Sequence, residues 1–147
     1  MKITLSKATP QDLPAIYGLV KELAIYEKAP EEVTTTLEDY LTDFKAGYFE
    51  SLVAKHNDKV VGMMLYYNTY STWKGRMLYL EDFLVTETYR RMGIGDQLWE
   101  ALLEEAKIKG ARLIKWQVLD WNQPAIEFYK KKAATIEDEW LNGKVFL

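Results

Sequence analysis

Residues 78–95 read LYLEDFLVTETYRRMGIG, and the rest of the chain is organised around this stretch. Leu78 to Val85 is apolar and β-prone except for two adjacent carboxylates, Glu81 and Asp82, and reads as a strand. A polar loop, Thr86-Glu87-Thr88-Tyr89, leads into Arg90-Arg91-Met92-Gly93-Ile94-Gly95. From Gly95 to Lys109 the residues Leu98, Leu102, Leu103 and Ala106 recur at the spacing of one helix face, and Gly110 stops the run. Strand, glycine-bearing basic turn and helix N-terminus together suit an anion, because the first N–H groups point outward and the helix dipole favours negative charge. Glycine lets backbone approach a phosphate closely, and the two arginines offer charge-assisted donors. An ordinary tight turn with solvated arginines has the same pattern, and the turn alone does not separate the two.

The chain of 147 residues is long enough to bury a core without covalent staples and reads as one domain, 1–147. It has no cysteine. That excludes a disulfide framework, a thiol nucleophile and a cysteine-based metal site. No metal is expected, and the composition fits a reducing compartment, with a cytoplasmic location expected. The segment MKITLSKATPQDL has no long apolar run, so neither a signal peptide nor a membrane span is read. The formal net charge is −3 with no basic stripe, which argues against a nucleic-acid partner. A mildly acidic surface favours a small cation.

Around the opening stretch the reading gives a mixed α/β domain in the order β-α-α-β-β-β-α-β-α-β. Lys2 to Ser6 alternates as a strand. Thr9-Pro10-Gln11-Asp12 is a capping box with proline at the first helical position. The helix behind it carries Leu13, Ile16, Val20, Leu23 and Ala24 on one face and ends near Glu27, before Lys28-Ala29-Pro30. Thr34-Thr35-Thr36 precedes a second helix with Leu37, Tyr40, Leu41 and Phe44, stopped by Gly47. Ser51–Lys55 and Val60–Tyr67 form a hairpin about His56-Asn57-Asp58-Lys59, where His56 is expected on the surface. Thr72 to Gly75 turns the chain into the central strand. Ala111 to Val118 reads as a strand, Trp121-Asn122-Gln123-Pro124 opens a short helix with Ala125, Phe128 and Tyr129, and Val145-Phe146-Leu147 is a candidate last strand.

Strict alternation along the central strand places Tyr79, Glu81 and Phe83 on one face, and Leu80, Asp82 and Leu84 on the other. A carboxylate between two rings is partly desolvated, which pushes its pKa up towards that of a general base. Pairing with a cation, or exposure at a sheet end, is the other reading of Glu81. Asn122 can be a helix cap and no more, and Tyr129 a core ring with a wet hydroxyl.

Taken together, order and spacing resemble the GNAT superfamily of acetyl-CoA-dependent N-acetyltransferases. Arg90-x-x-Gly93-x-Gly95 matches that family's pyrophosphate loop, and Asn122-x-x-Ala125-x-x-Phe128-Tyr129 its later asparagine-to-aromatic motif. The strings KELAIYE, YLEDFLV, YRRMGIG and WNQPAIEFYKKK look like the spermidine/spermine (diamine) N-acetyltransferase branch and its thialysine-acetylating relatives. The resemblance implies a mostly antiparallel mixed sheet, splayed where the cofactor inserts, with helices on both faces. It implies acetyl-CoA as co-substrate, paired by the backbone of Phe83, Leu84 and Val85. Its pyrophosphate would be held by Arg90, Arg91, Met92, Gly93, Ile94, Gly95 and Asp96, and Asn122 and Ala125 would contact it further along. Glu81 corresponds to the acidic residue beside the amine, and Tyr129 to the proton donor for the departing thiolate. Tyr26-Glu27, with Glu81 and Asp82, would bind a cationic amine, and Glu139-Trp140 would add a wall. A homodimer is implied in the same way.

The activity so implied is direct acetyl transfer, in a ternary complex, to a primary amine of a polyamine, diamine or thialysine-like substrate. An acetyltransferase for peptide lysine or another amine, and a non-catalytic acyl-CoA-binding module, are the alternatives. Two departures bear on specificity: Lys132-Ala133-Ala134 stands where relatives commonly have a basic residue, glycine and alanine, and the segment after Thr135 is short for the diamine enzymes.

Overall fold

A computed structural model describes residues 1–147, which form two compact units, Met1–Trp116 and Gln117–Leu147. The first contains β1 (Thr4–Lys7), α1 (Leu13–Tyr26), α2 (Leu37–Lys45), β2 (Glu50–His56), β3 (Lys59–Ser71), β4 (Gly75–Val85), α3 (Ile94–Ile108) and β5 (Leu113–Trp116). The second contains α4 (Gln123–Lys131).

The strands form one sheet in the order β1-β2-β3-β4-β5. The first three pairings are antiparallel and β4–β5 is parallel; the crossover that a parallel pair requires is α3. Residues opposite one another in adjacent strands share a face. Met63 and Leu65 of β3 therefore lie with Val53 and Leu84, and they bury against Leu13, Ile16 and Leu19 of α1. From α2, Leu37, Tyr40, Leu41 and Phe44 pack on the same cluster. The other face of β3 meets α3, where the Tyr66 hydroxyl donates to Glu105 Oε2 at 2.6 Å. Gly62 on that face lets α3 approach, since a Cβ there would lie 3.3 Å from Leu98 Cδ1 and from the Leu84 carbonyl oxygen.

Local chemistry sets the ends of these elements. The Asp12 carboxylate accepts from the Thr9 N–H at 2.9 Å, and Thr36 caps α2 reciprocally with Asp39. Asn57 and Asp58 take φ of 49° and 65°, which tightens the β2–β3 hairpin to two residues. As a result β2 runs through His56. That residue is half-buried, its Nδ1 3.0 Å from the Tyr89 hydroxyl, and not the surface turn residue expected.

Two expected strands change. Only Leu113–Trp116 of the apolar run 111–118 pairs, and residues 134–147 form no regular element. Val145-Phe146-Leu147 has the composition of a strand but pairs with none, and all three side chains are exposed. A strand exists only where another edge accepts its hydrogen bonds.

Candidate active site

The centre of the site is a β-bulge. Pairing between β3 and β4 runs Leu65↔Asp82 and then Tyr66↔Leu80, so Glu81 is an extra residue with no partner across the ladder. A bulge reverses the alternation beyond it. Tyr79, opposite Tyr67, and Asp82 and Leu84, opposite Leu65 and Met63, consequently share the face that carries α1 and α2, while Phe83 moves to the other. The expected grouping of Glu81 with Tyr79 and Phe83 is thus corrected, because the bulge was not legible in the strand's composition.

The two carboxylates differ as a result. Glu81 is exposed and its Oε1 accepts from the Tyr67 hydroxyl at 2.8 Å. Tyr67 stacks on Tyr79 with ring centroids 5.4 Å apart. Asp82 is half-buried with a poorly hydrated carboxyl, and desolvation first, then the Glu81 and Glu27 charges, push its pKa up to about 7. Glu27, the residue that ends α1, is raised by burial. Tyr40 of α2 is pushed up to about 12 by burial and next by Asp82. Tyr67 and Tyr79 are raised too, by burial first, and Glu81 is a further cause for each. Three carboxylates and their phenol neighbours thus act on one another where α1 ends beside the bulge. The desolvated carboxylate that the sequence suggested at Glu81 is found one residue on, at Asp82.

The same strand leads to the basic turn. Parallel pairing with β5 stops at Leu80↔Trp116, so from Glu81 to Val85 strand β4 pairs with β3 alone. Its second edge there borders no strand, which is the opening expected beside Phe83, Leu84 and Val85. The chain then passes through a short 3-10 turn, Glu87–Tyr89, to Arg90, whose Nε donates to the Val85 carbonyl oxygen at 2.8 Å. The Arg90 guanidinium lies over the ring of Tyr26, 5.6 Å from its centroid, and so joins the turn to the end of α1. Arg91 has φ 62° and Gly93, the N-cap of α3, φ 80°. No side chain caps that N-terminus, and a Cβ on Gly93 would meet no atom within 4 Å. Open space before a dipole's positive end, with Arg91 and Met92 exposed alongside, fits an anionic group. Ile94 is buried and serves packing; Gly95 and Asp96 lie in the first turn of α3.

In the second unit the Asn122 side chain caps α4 by accepting from Ala125 N at 3.4 Å. Pro124 occupies the first turn, and Tyr129 is buried with its ring 5.6 Å from that of Phe128. The helix ends on Ala133 at φ 60°, with Ala134 N donating to the Tyr129 carbonyl oxygen at 3.2 Å. The backbone there takes the left-handed form that glycine adopts more easily. Glu139 and Trp140 are exposed.

Tyr67 is the residue that reading the sequence missed. Its strand was recognised, but its partner is set by the bulge. A cavity of about 340 Å³ lined by Asn68, Thr69, Arg76, Met77, Lys109 and Ala111 lies near the opposite end of β4 and contains no carboxylate. Its Lys109 is paired with Glu50 at 2.6 Å.

Comparison with known proteins gives the family and the fold. Residues 13–134 match the model of the Acetyltransferase (GNAT) family. A thialysine N-epsilon-acetyltransferase of Bos taurus is 37% identical over 142 residues, covering 90% of this chain and 84% of that one. Its namesake in Caenorhabditis elegans is 36% identical over 121 residues, covering 82% and 76%. Among solved structures, an aminoglycoside acetyltransferase from a soil metagenomic sample superposes with a TM-score of 0.82 at 20% identity, over 99% of this chain and 96% of that one, and so shares the fold. With the family match spanning the bulged strand, the basic turn and α4, the chain belongs to the GNAT acetyltransferase family and is an enzyme that acetylates amines.

Proposed function

We propose that the enzyme moves an acetyl group from acetyl-CoA to a primary amine of a small cation, a polyamine, diamine or thialysine-like amino acid, by direct attack in a ternary complex. The observation that carries this reading is the set of carboxylates Glu27, Glu81 and Asp82 beside Tyr67 and Tyr79. Acidic groups with ring faces attract an alkylammonium. The relatives named for thialysine, and a Homo sapiens spermidine/spermine N(1)-acetyltransferase-like protein 35% identical over 144 residues, support a small cationic amine as substrate. Only 20% of that human protein is covered.

In this reading acetyl-CoA supplies a thioester, and the chain's own residues position it. Phe83, Leu84 and Val85 present backbone along the unpaired edge of β4. Arg90, Arg91 and the amides from Met92 to Asp96 receive the pyrophosphate, and Asn122 and Ala125 a further part of the cofactor. Tyr26, Glu27, Glu81 and Asp82 hold the amine, and Glu81 takes its proton directly or through a water. Tyr129 returns a proton to the departing sulfur, whose thiol form has a pKa of about 8.5. The domain 1–147 works in the cytoplasm as a homodimer, without a metal and without a nucleic-acid or membrane partner.

The test is release of free thiol from acetyl-CoA with spermidine, spermine, putrescine, thialysine, lysine and a lysine peptide. No protein thiol adds background, because the chain has no cysteine. Turnover of polyamines or thialysine is expected, with Tyr129→Phe losing turnover while still binding acetyl-CoA. Turnover of the peptide alone moves the assignment to protein acetylation, and binding of acetyl-CoA without turnover of any amine favours a non-catalytic module.

A further inference from the structure

We propose that the cavity beside the C-terminus of α3 is a second ligand site, suited to a small organic phosphate and separate from the acetyl-transfer site. Its volume is about 340 Å³, and its lining comes from Asn68 and Thr69 of β3, Arg76 and Met77 of β4, and Lys109 and Ala111 just past α3. That volume takes a small metabolite and exceeds what a lone ion fills.

Charge sets this end of the molecule apart. The two segments that wall the cavity, 68–78 and 107–116, carry Lys74, Arg76, Lys107, Lys109, Arg112 and Lys115, and neither contains an aspartate or glutamate. Parallel pairing of Met77 with Leu113 holds the segments side by side, and the Arg112 N–H donates to the Arg76 carbonyl oxygen at 2.8 Å. Of the six cations only Lys109 is ion-paired, with Glu50. In a chain of net charge −3, cations segregated in this way leave a local positive field that draws anions.

Arg76 is the anchor. It is exposed, and its Nη1 lies 3.4 Å from where a Cβ on Gly110 would stand, so the guanidinium reaches over the end of α3. The negative end of the helix dipole orients it there but amounts to only about half a charge. The planar fork therefore remains available to two phosphate oxygens. The Asn68 amide and the Thr69 hydroxyl are further donors in the lining. Met77 and Ala111 offer apolar contact to the organic part. Because α3 has 15 residues, about 22 Å separates this cavity from the helix N-terminus at Gly93. The two anion seats are thus distinct.

The experiment titrates ribose 5-phosphate, AMP and inorganic phosphate into the full chain, with ribose as the uncharged control. Ionic strength is held constant and acetyl-CoA is kept saturating. ¹H–¹⁵N NMR reads where each ligand binds, since the Gly93 and Gly110 amides report opposite ends of α3, and calorimetry reads how tightly. Saturable shifts are expected at Asn68, Arg76 and Gly110, with Kd below about 1 mM for at least one ester and no response to ribose. Arg76→Gln should weaken binding at least about tenfold, with Tm and acetyl-CoA affinity unchanged. Lys59→Gln, the same charge change at an exposed hairpin residue outside the cavity, should leave it intact. Three results overturn the site: shifts confined to Gly93 and the amides after it, equal weakening by the two substitutions, or no saturation below about 10 mM. Inorganic phosphate binding as tightly as both esters overturns the organic part of the ligand. None of these readouts requires turnover, so they stand or fall apart from the proposed amine acetylation.

Discussion

Tyr67 and Glu81 are fourteen residues apart and meet because one extra residue in β4 turns a carboxylate towards a neighbouring strand's phenol. The hydroxyl fixes that carboxylate's direction, and the stack on Tyr79 fixes the hydroxyl. Tyr67→Phe keeps the ring and removes only the donor. A hydrogen bond to a partly exposed charged acceptor contributes about 1 kcal/mol, so KM for the amine should rise about fivefold. Acetyl-CoA affinity, measured by calorimetry, should not move. An unchanged KM would remove Tyr67 from the site. The alternation of the strand pointed to Glu81 and its neighbours as the chemistry-bearing stretch, but not to which carboxylate is desolvated, since the bulge depends on how β3 and β4 pair.

The elements carry their own strain, and two helix ends give opposite predictions. At the start of α3, Gly93 has φ 80° with open space where a Cβ would go. Gly93→Asp adds left-handed strain of about 1–2 kcal/mol and a negative charge before the helix dipole. Acetyl-CoA should bind at least tenfold more weakly, an effect visible by calorimetry, and Gly93→Ala should lose less. At the end of α4, Ala133 takes φ 60° in a turn closed by Ala134 N to the Tyr129 carbonyl oxygen. Ala133→Gly relieves that strain at some cost in unfolded-chain entropy, a net gain of about 0.5–1 kcal/mol. A thermal scan should show Tm higher by about 1–4 °C; a lower Tm would mean that the turn is not strained. Capping residues and glycine stops marked the start of α4 at Asn122 and the ends of α2 and α3 at Gly47 and Gly110 from sequence, because caps act within one turn of the chain, whereas neither Gly93 as the cap of α3 nor the Ala133 turn was read that way.

Over the whole molecule the shifted carboxyls fall into two groups with opposite pH signs. Asp12, paired with Lys55 at 2.8 Å, and Glu50, paired with Lys7 and Lys109, are held below their ordinary values even though burial acts to raise them. Their contribution to stability is present above the unfolded carboxyl range and is lost as pH falls through their folded values. Asp82 and Glu27 are raised. Between about 4 and 7 the folded state holds more protons on Asp82 than the unfolded state does, so stability declines as pH rises across that window. Maximal Tm is therefore expected at mildly acid pH, with a decline towards pH 8 that Asp82→Asn flattens. A Tm that rises steadily from pH 5 to 8 would contradict this.

Sequence alone determined the element order up to α4, the caps of α2 and α4, the basic glycine-bearing turn and the candidate residues on β4 and α4, because these follow from local backbone preference and from side chains a few positions apart. Only the tertiary structure decided the β3–β4 register and, through it, the bulge, the Tyr67 partner and the poorly hydrated position of Asp82. It likewise decided that Val145-Phe146-Leu147 forms no strand. The physical reason is the same in each case: a register or a desolvated charge is created by groups distant along the chain, and strand composition specifies neither the partner nor the alignment.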